Sequence, residues 1–392
     1  MDIEFLTPEE REIVDPTGKG AATIRKYRQT LPTPSPRYYR GTDTWLDEYR
    51  TLRDRAVAPK HEIARAWDAQ WESKAGPQGG YFPLSTLLES WRRSYANAHR
   101  TVTYTVTSVG CHYLCKRLRL LVQKFGYPQF SGARISGTQG ALPLMEKKGT
   151  YHAETYMAAL YRHVFLDEPG ERFQRRKPRS IHMDSVLNVR YFEKELSAAR
   201  TFLKQHLPEY FSAWCNPHAG MRAAITRAVE RNYYSLEIDY DHCDEQVSYE
   251  MACATYIPVL FELMPYPIAC ECQAYIEELF HQEIFLGDCY YRGKHCGFSG
   301  QSIISDIETI YGVCLAIGAI LVHGAVPLEQ CQIYCIGDDT TVLVPPGAKF
   351  STADGINRLM HEEATLNGQR VNKIKSLLTQ GNARFCKMLY YP

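Results

Sequence analysis

The chain has 392 residues, 45% of them hydrophobic and 23% charged, with 45 Lys and Arg against 44 Asp and Glu. A net charge of +1 excludes binding to a polyanion driven by bulk charge, and no apolar run approaches the roughly 18–20 residues of a membrane span. The acidic start, "MDIEFLTPEEREIV", lacks the basic flank and apolar centre of a secretory signal, so a reducing, intracellular setting is expected.

In chain order, residues 1–45 are rich in Pro and Arg ("QTLPTPSPRYYRGTD") and read as an extended arm. Three stretches then carry apolar residues three and four apart, the helical period: "TWLDEYRTLRDRAV", "LSTLLESWRRSYANA" and "GCHYLCKRLRLLVQKF". Residues 126–150 are rich in Gly and Ser and read as loops carrying Lys147 and Lys148. "TYHAETYMAALYRHVF" and "LNVRYFEKELSAARTFLKQHL" are expected to be helical, with the basic run "ERFQRRKPRSI" between them. That run gathers Arg172, Arg175, Arg176, Lys177 and Arg179; alone, it reads most simply as a solvated face. "HAGMRAAITRAVERN" is a further helix and "YYSLEID" a strand, followed by the helical "VSYEMACATYIPVLFELM" and "ACECQAYIEELFHQEIF". "SIISDIETIYGVCLAIGAILVHG" reads as a buried helix, its longest apolar run, Val313 to Val322, being too short for a span. A hairpin around "CIGDDTTVLVPP", the helix "ADGINRLMHEEATLNG" and short terminal strands complete the chain. Helices, strand, helices, hairpin, helix, strands: this order implies an α+β fold with an antiparallel sheet.

Thirteen cysteines suit a reduced core, and Cys111-x3-Cys115 and Cys331-x3-Cys335 are not the Cys-x2-Cys spacing of a zinc site. His112, Cys272, His281, His295 and Cys296 form no ligand set that spacing alone defines.

Carboxylates carry the chemistry. Asp338 and Asp339 sit at the hairpin tip, and the strand "SLEID" ends at Asp239, with Asp241 and Asp244 beyond it. If the strand neighbours the hairpin in one sheet, Asp239, Asp338 and Asp339 converge, an unfavourable cluster unless cations neutralise it. Two magnesium ions would do so, and they drive in-line nucleotidyl transfer. Asp241, between the matched positions, reads as a solvated or backup carboxylate.

These residues resemble the motifs of the viral RNA-directed RNA polymerases, right-hand enzymes with fingers, palm and thumb. "DYDHCD" looks like motif A, implying Asp239 as metal ligand and Asp244 as the sensor of the ribose 2′-hydroxyl. Gly337-Asp338-Asp339 looks like motif C, and "GFSGQSIISDIETI" like motif B, with Ser299 and Gly300 in a loop before a long helix. "KPRSI" is similar to motif F, which assigns Lys177 and Arg179 to the incoming triphosphate, with Arg175 and Arg176 beside them on RNA. "NGQRVNKIKS" resembles motif D, with Lys375 as general acid and Lys373 as a weaker substitute. "RFCKMLYYP" resembles the motif E hairpin, and "SGTQGALPLMEKKG" loosely resembles motif G, placing Lys147 and Lys148 on the template.

In motif B the usual Thr and Asn are Ile304 and Glu308. Glu308 can accept the ribose hydrogen bond but stands beside Asp244, so one of the pair is expected to titrate unusually. An acidic residue there followed by Thr resembles the partitivirus and picobirnavirus-like group of double-stranded RNA viruses.

The resemblance implies an arm (1–45), fingers (46–230, motif G near 136–149 and motif F near 172–190), palm (231–265), a fingers insertion (266–295) and palm again (296–392). The chain stops just after the motif E match, so the expected thumb is reduced, missing as in a fragment, or supplied by another chain. The same resemblance implies two Mg2+ ions with Mn2+ as a substitute, RNA template and product, NTPs, a capsid protein or thumb-bearing partner, and host cytoplasm or the virion interior. Two rival readings stand beside it. One is a catalytically silent RNA-binding or structural protein with the same palm, against which the repulsion among intact aspartates argues. The other is a different two-metal enzyme such as a reverse transcriptase, against which Asp244 and Gly337 argue.

Overall fold

The computed structural model describes residues 84–129, 157–166, 175–183, 186–214, 221–282, 284–286, 289–291, 293–301, 303–386 and 388–391. The predicted arm, the helix around residues 44–57 and Lys147 and Lys148 lie outside them.

The elements run α1 (Leu84–Ala98), α2 (Val106–Phe125), β1 (Met157–Leu166), β2 (Arg175–Met183), α3 (Val186–His206), α4 (Pro208–Phe211), α5 (Met221–Glu230) and β3 (Tyr234–Ile238). Then come α6 (Tyr249–Met251), a π turn (Ala252–Tyr256), α7 (Ile257–Leu263), α8 (Tyr266–Leu279), β4 (Ile284–Leu286), β5 (Cys289–Tyr291) and α9 (Ile304–His323). The last are β6 (Gln332–Ile336), β7 (Asp339–Val344), α10 (Phe350–Leu366), β8 (Leu377–Gln380), β9 (Ala383–Phe385) and β10 (Met388–Tyr390). The fold is mixed helix and sheet, and its described residues divide into two compact units.

One unit takes its described residues from Met1–Tyr95, Arg134–Tyr191 and His281–Ser302. Its sheet has the order β2-β1-β4-β5. Met157–Leu166 therefore corrects the helical expectation for "TYHAETYMAALYRHVF": it is a strand, antiparallel to β2 over nine pairs and parallel to β4. Spacings of three and four are compatible with either state, and ladder partners on both sides decide for the strand. Pro178 fits within β2 because that strand is at the sheet edge, where a missing N–H costs no ladder bond. The "HQEIF" tail of the predicted 269–285 helix likewise departs, since α8 ends at Leu279 and Ile284–Leu286 pairs with β1 and β5.

The other unit takes its described residues from Ala96–Ala133, Phe192–Phe280 and Ile303–Pro392. Its sheet, order β6-β7-β3-β8, is antiparallel throughout. β3 is central and buried at all five positions, as "YSLEI" permits. α9 packs on this sheet on one side and on α2 on another. The helix is long and apolar enough to cross a membrane, but 89% of its most apolar stretch is buried inside the protein. Each fully buried Ile or Leu contributes about 1.5–3 kcal/mol, so this all-round burial makes α9 the centre of the core. Close approach to α2 rests on two glycines: a Cβ on Gly318 would run into the Val106 carbonyl, and one on Gly110 into that of Cys314. In the π turn, Ile257 donates to the Ala252 carbonyl, and Pro258, lacking an N–H, cannot restore the α-helical ladder at the next position.

Candidate active site

The strand ends of the second sheet assemble the site. β3 and β7 pair Ile238 with Thr340, and one further step of this register sets Asp239 across from Asp339 on the same face. β6 and β7 pair Ile336 with Asp339, leaving Gly337 and Asp338 as a two-residue loop. Gly337 has φ +55°, the left-handed conformation that the first position of such a hairpin needs. A Cβ there would meet Glu308 Oε2 and Ser305 Oγ at 3.4 Å, an ordinary contact, so the backbone conformation and not space calls for glycine. The Gly337 N–H donates to Thr309 Oγ1 (2.9 Å), whose hydroxyl donates to the Ser305 carbonyl (2.7 Å), and this fastens the tip to α9.

Beyond Asp239 the chain turns through His242 (φ +56°) into a short 3₁₀ turn, Asp244–Gln246. Asp244 comes into hydrogen-bonding contact with Glu308, and Asp338 lies within electrostatic reach of both Glu308 and the Cys243 thiol. Burial, then the charges of Asp244 and Asp338, push Glu308 well above the usual carboxylate range. Glu308 is 5% exposed, and its Oε1 has no hydrogen-bond partner. With its acid form favoured, Glu308 can donate beside an Asp244 oxygen that can accept, a pairing suited to a hydroxyl. On the other flank Cys386, at the left-handed tip of the β9–β10 hairpin (φ +48°), donates its thiol to Asp339. Burial first, then Asp339, pushes that thiol to about 12, so it stays protonated.

Lys375 stands on a loop stitched to β3. Asn372 N–H donates to the Asp239 carbonyl (2.8 Å), Asp239 N–H to Ser376 Oγ (3.1 Å), and Asn372 Nδ2 to Asp241 Oδ1 (2.9 Å). Asn372 Oδ1 in turn accepts from the backbone N–H groups of Ile374 and Lys375. The Lys375 ammonium lies 3.9 Å from Asp239 Oδ2. Asp241 is thus a structural anchor for this loop.

The carboxylates are hard oxygen donors of the kind Mg2+ prefers. Among the described residues no group of three or more His, Cys, Asp or Glu is gathered tightly enough to read directly as a metal site. The sheet register brings Asp239 to the hairpin, while its side chain meets Lys375.

The first unit carries the remaining candidates. Arg175, Arg176, Lys177 and Arg179 lie on β2, whose last residues reach the Ser299 loop: His182 N–H donates to the Ser299 carbonyl (2.7 Å). The His182 ring packs on Phe298 (4.2 Å between centroids), which packs on His295 (4.9 Å). Burial, then His295, drives His182 down to about 3, so this ring is neutral, and neither of its nitrogens has a partner. Ser299 and Gly300 are exposed, with Gly300 at φ +94°. Asn372 and Thr309 carry no sequence signal that marks them as parts of the site. A Thr one turn into a buried helix reads as core, and a loop Asn as a turn former.

No sequence-family model matches the chain, and no curated protein matches it in sequence. Its fold does match solved structures. The crystal structure of the RNA-dependent RNA polymerase of a human picobirnavirus aligns with a TM-score of 0.62 at 12% identity, over 98% of this chain and 77% of that one. An insertion-loop deletion mutant of such a polymerase aligns with the same TM-score and identity, over 98% of this chain and 79% of that one. At this identity the likeness establishes the fold.

Proposed function

We propose that the protein is an RNA-directed RNA polymerase that adds NTPs to an RNA 3′ end with release of pyrophosphate. The observation that carries this reading is the β3–β7 register, which sets Asp239 opposite the Gly337-Asp338-Asp339 hairpin in a chain folded like the picobirnavirus polymerases. The second sheet with α9 would then be the palm, and the β1–β2 sheet part of the fingers. Asp239 and Asp338 would hold Mg2+, with Asp339 beside them; bound there, the ions supply Lewis-acid activation of the 3′-hydroxyl and neutralise triphosphate charge.

The protein's own groups do the rest. Lys177 and Arg179 clamp the triphosphate, and Arg175 and Arg176 hold RNA phosphates. The protonated Glu308 donates to, and Asp244 accepts from, the ribose 2′-hydroxyl, so a deoxyribonucleotide would leave a buried polar pair unsatisfied. The Ser299–Gly300 loop supports the nascent pair, and Lys375 gives its proton to the departing pyrophosphate.

The test is template-dependent incorporation by purified protein with an RNA template, Mg2+ and either ribonucleotides or deoxyribonucleotides. Ribonucleotide incorporation that disappears in Asp338→Ala is expected. No incorporation, or activity untouched by Asp338→Ala, would refute the proposal, and preference for deoxyribonucleotides would make the protein a reverse transcriptase.

A further inference from the structure

Resting on the reading of Lys375 as general acid, we infer that Arg384, which opens the motif E match and to which no individual role was assigned above, is the positioning residue that sets the direction of that lysine. The Lys375 loop has no apolar anchor of its own: Ile374 is 91% exposed and Lys375 is exposed as well. Polar bonds alone hold it. On the Asp239 side these are the bonds of Asn372 and Ser376. On the other side the Lys375 carbonyl accepts from Arg384 Nη2 at 2.6 Å.

Arg384 is itself fixed at three points. Its carbonyl accepts from Thr341 Oγ1 (2.8 Å), while its backbone N–H and its Nε (3.1 Å) donate to the two oxygens of Glu237. Glu237 is 3% exposed, takes a further bond from the Ser235 hydroxyl (3.3 Å), and lies two residues before Asp239 on the same face of β3. One guanidinium thus spans a carboxylate locked in the central strand and the backbone of the exposed lysine. This fork geometry is available to Arg and not to Lys. The lysine's main chain is pinned from both sides, so its ammonium is limited to the arc that includes Asp239, 3.9 Å away. Proton transfer to a leaving group is sensitive to displacements of this order.

The experiment is a double-mutant cycle between residues 384 and 375, in single-turnover incorporation from a pre-formed RNA complex. Arg384→Lys keeps a positive charge beside Glu237 but cannot also reach the Lys375 carbonyl, so the fold is retained while the tether is lost. The expected result is a kcat lower by about tenfold with KM for the nucleotide within about twofold, and less than about a twofold effect of the same substitution in a Lys375→Ala background. The pair Glu237→Gln with Arg384→Ala, which leaves no lone buried charge, should reproduce the loss and its dependence on Lys375. Arg384→Lys at the wild-type rate, a loss that persists in full without Lys375, or a loss matched by an equal rise in KM would overturn the inference alone. A fully active Lys375→Ala enzyme would overturn the reading of Lys375 and the inference with it.

Discussion

Replacing Glu308 by Gln should stabilise the metal-free protein at neutral pH, and the gain should grow with pH. In the unfolded chain a glutamate ionises near about 4.3. In the folded chain burial, Asp244 and Asp338 hold Glu308 protonated well above that value. Between the two values the native state carries a proton that the unfolded state has lost, so stability falls as pH rises. The slope is up to about 1.4 kcal/mol per pH unit for one proton. Between the two values the penalty grows at up to that slope, and Gln escapes it because it donates to Asp244 without titrating. Urea unfolding of both proteins at pH 5, 6, 7 and 8 in EDTA keeps cations off the carboxylates and reads this cluster. Residues outside it titrate alike in both proteins and cancel in the difference, which reports Glu308 with its neighbours Asp244 and Asp338. Curves that run parallel across this range, or a variant less stable at pH 7, would mean that Glu308 is ionised in the native state, and the acid–carboxylate pair proposed for the ribose would not exist.

Two further predictions concern what fixes the site. Thr309→Val removes the acceptor of the Gly337 N–H and should lower stability by about 1–3 kcal/mol in urea unfolding; a loss below about 0.5 kcal/mol would mean that the hairpin tip is held elsewhere. Arg200→Met removes the cation 2.7 Å from Asp306, whose side chain is 7% exposed and also meets the Tyr256 hydroxyl, and should cost about 3–5 kcal/mol. Adding Asp306→Leu should recover much of that loss, and no recovery would refute burial of an uncompensated charge as its cause.

Helices that bury a stripe were legible from period alone, as Leu84–Ala98 and Val186–His206 illustrate. Ile304–His323 was legible by the opposite sign, apolar on every side, although its apolar stretch extends beyond the Val313 to Val322 run. Met157–Leu166 was not, because its conformation is decided by partners about twenty residues later in β2 and by β4 far along the chain. The site divides in the same way. Asp239 and the hairpin were legible from strand and turn pattern, and the proximity of Glu308 to Asp244 from the resemblance to polymerase motifs A and B. Arg384 and Glu237 lie 147 positions apart, and Asn372 and Asp241 131; such hydrogen bonds leave no periodic trace in either segment.

Register is the property on which the site depends, and it is a discrete one. Moving β3 by one residue against β7 would turn every side chain to the opposite face, taking Asp239 away from Asp339 and exchanging Glu237 for an apolar neighbour. Apolar pattern alone would resist this slip poorly, since β3 is buried on both faces and Leu236 and Ile238 would find cover on either. Glu237 resists it strongly. Its carboxylate, buried and bonded to Arg384 and Ser235, would be left without partners in the slipped arrangement, at a cost of several kcal/mol. A buried charge that adds little to net stability can therefore still select the one alignment in which Asp239 stands across from Asp339.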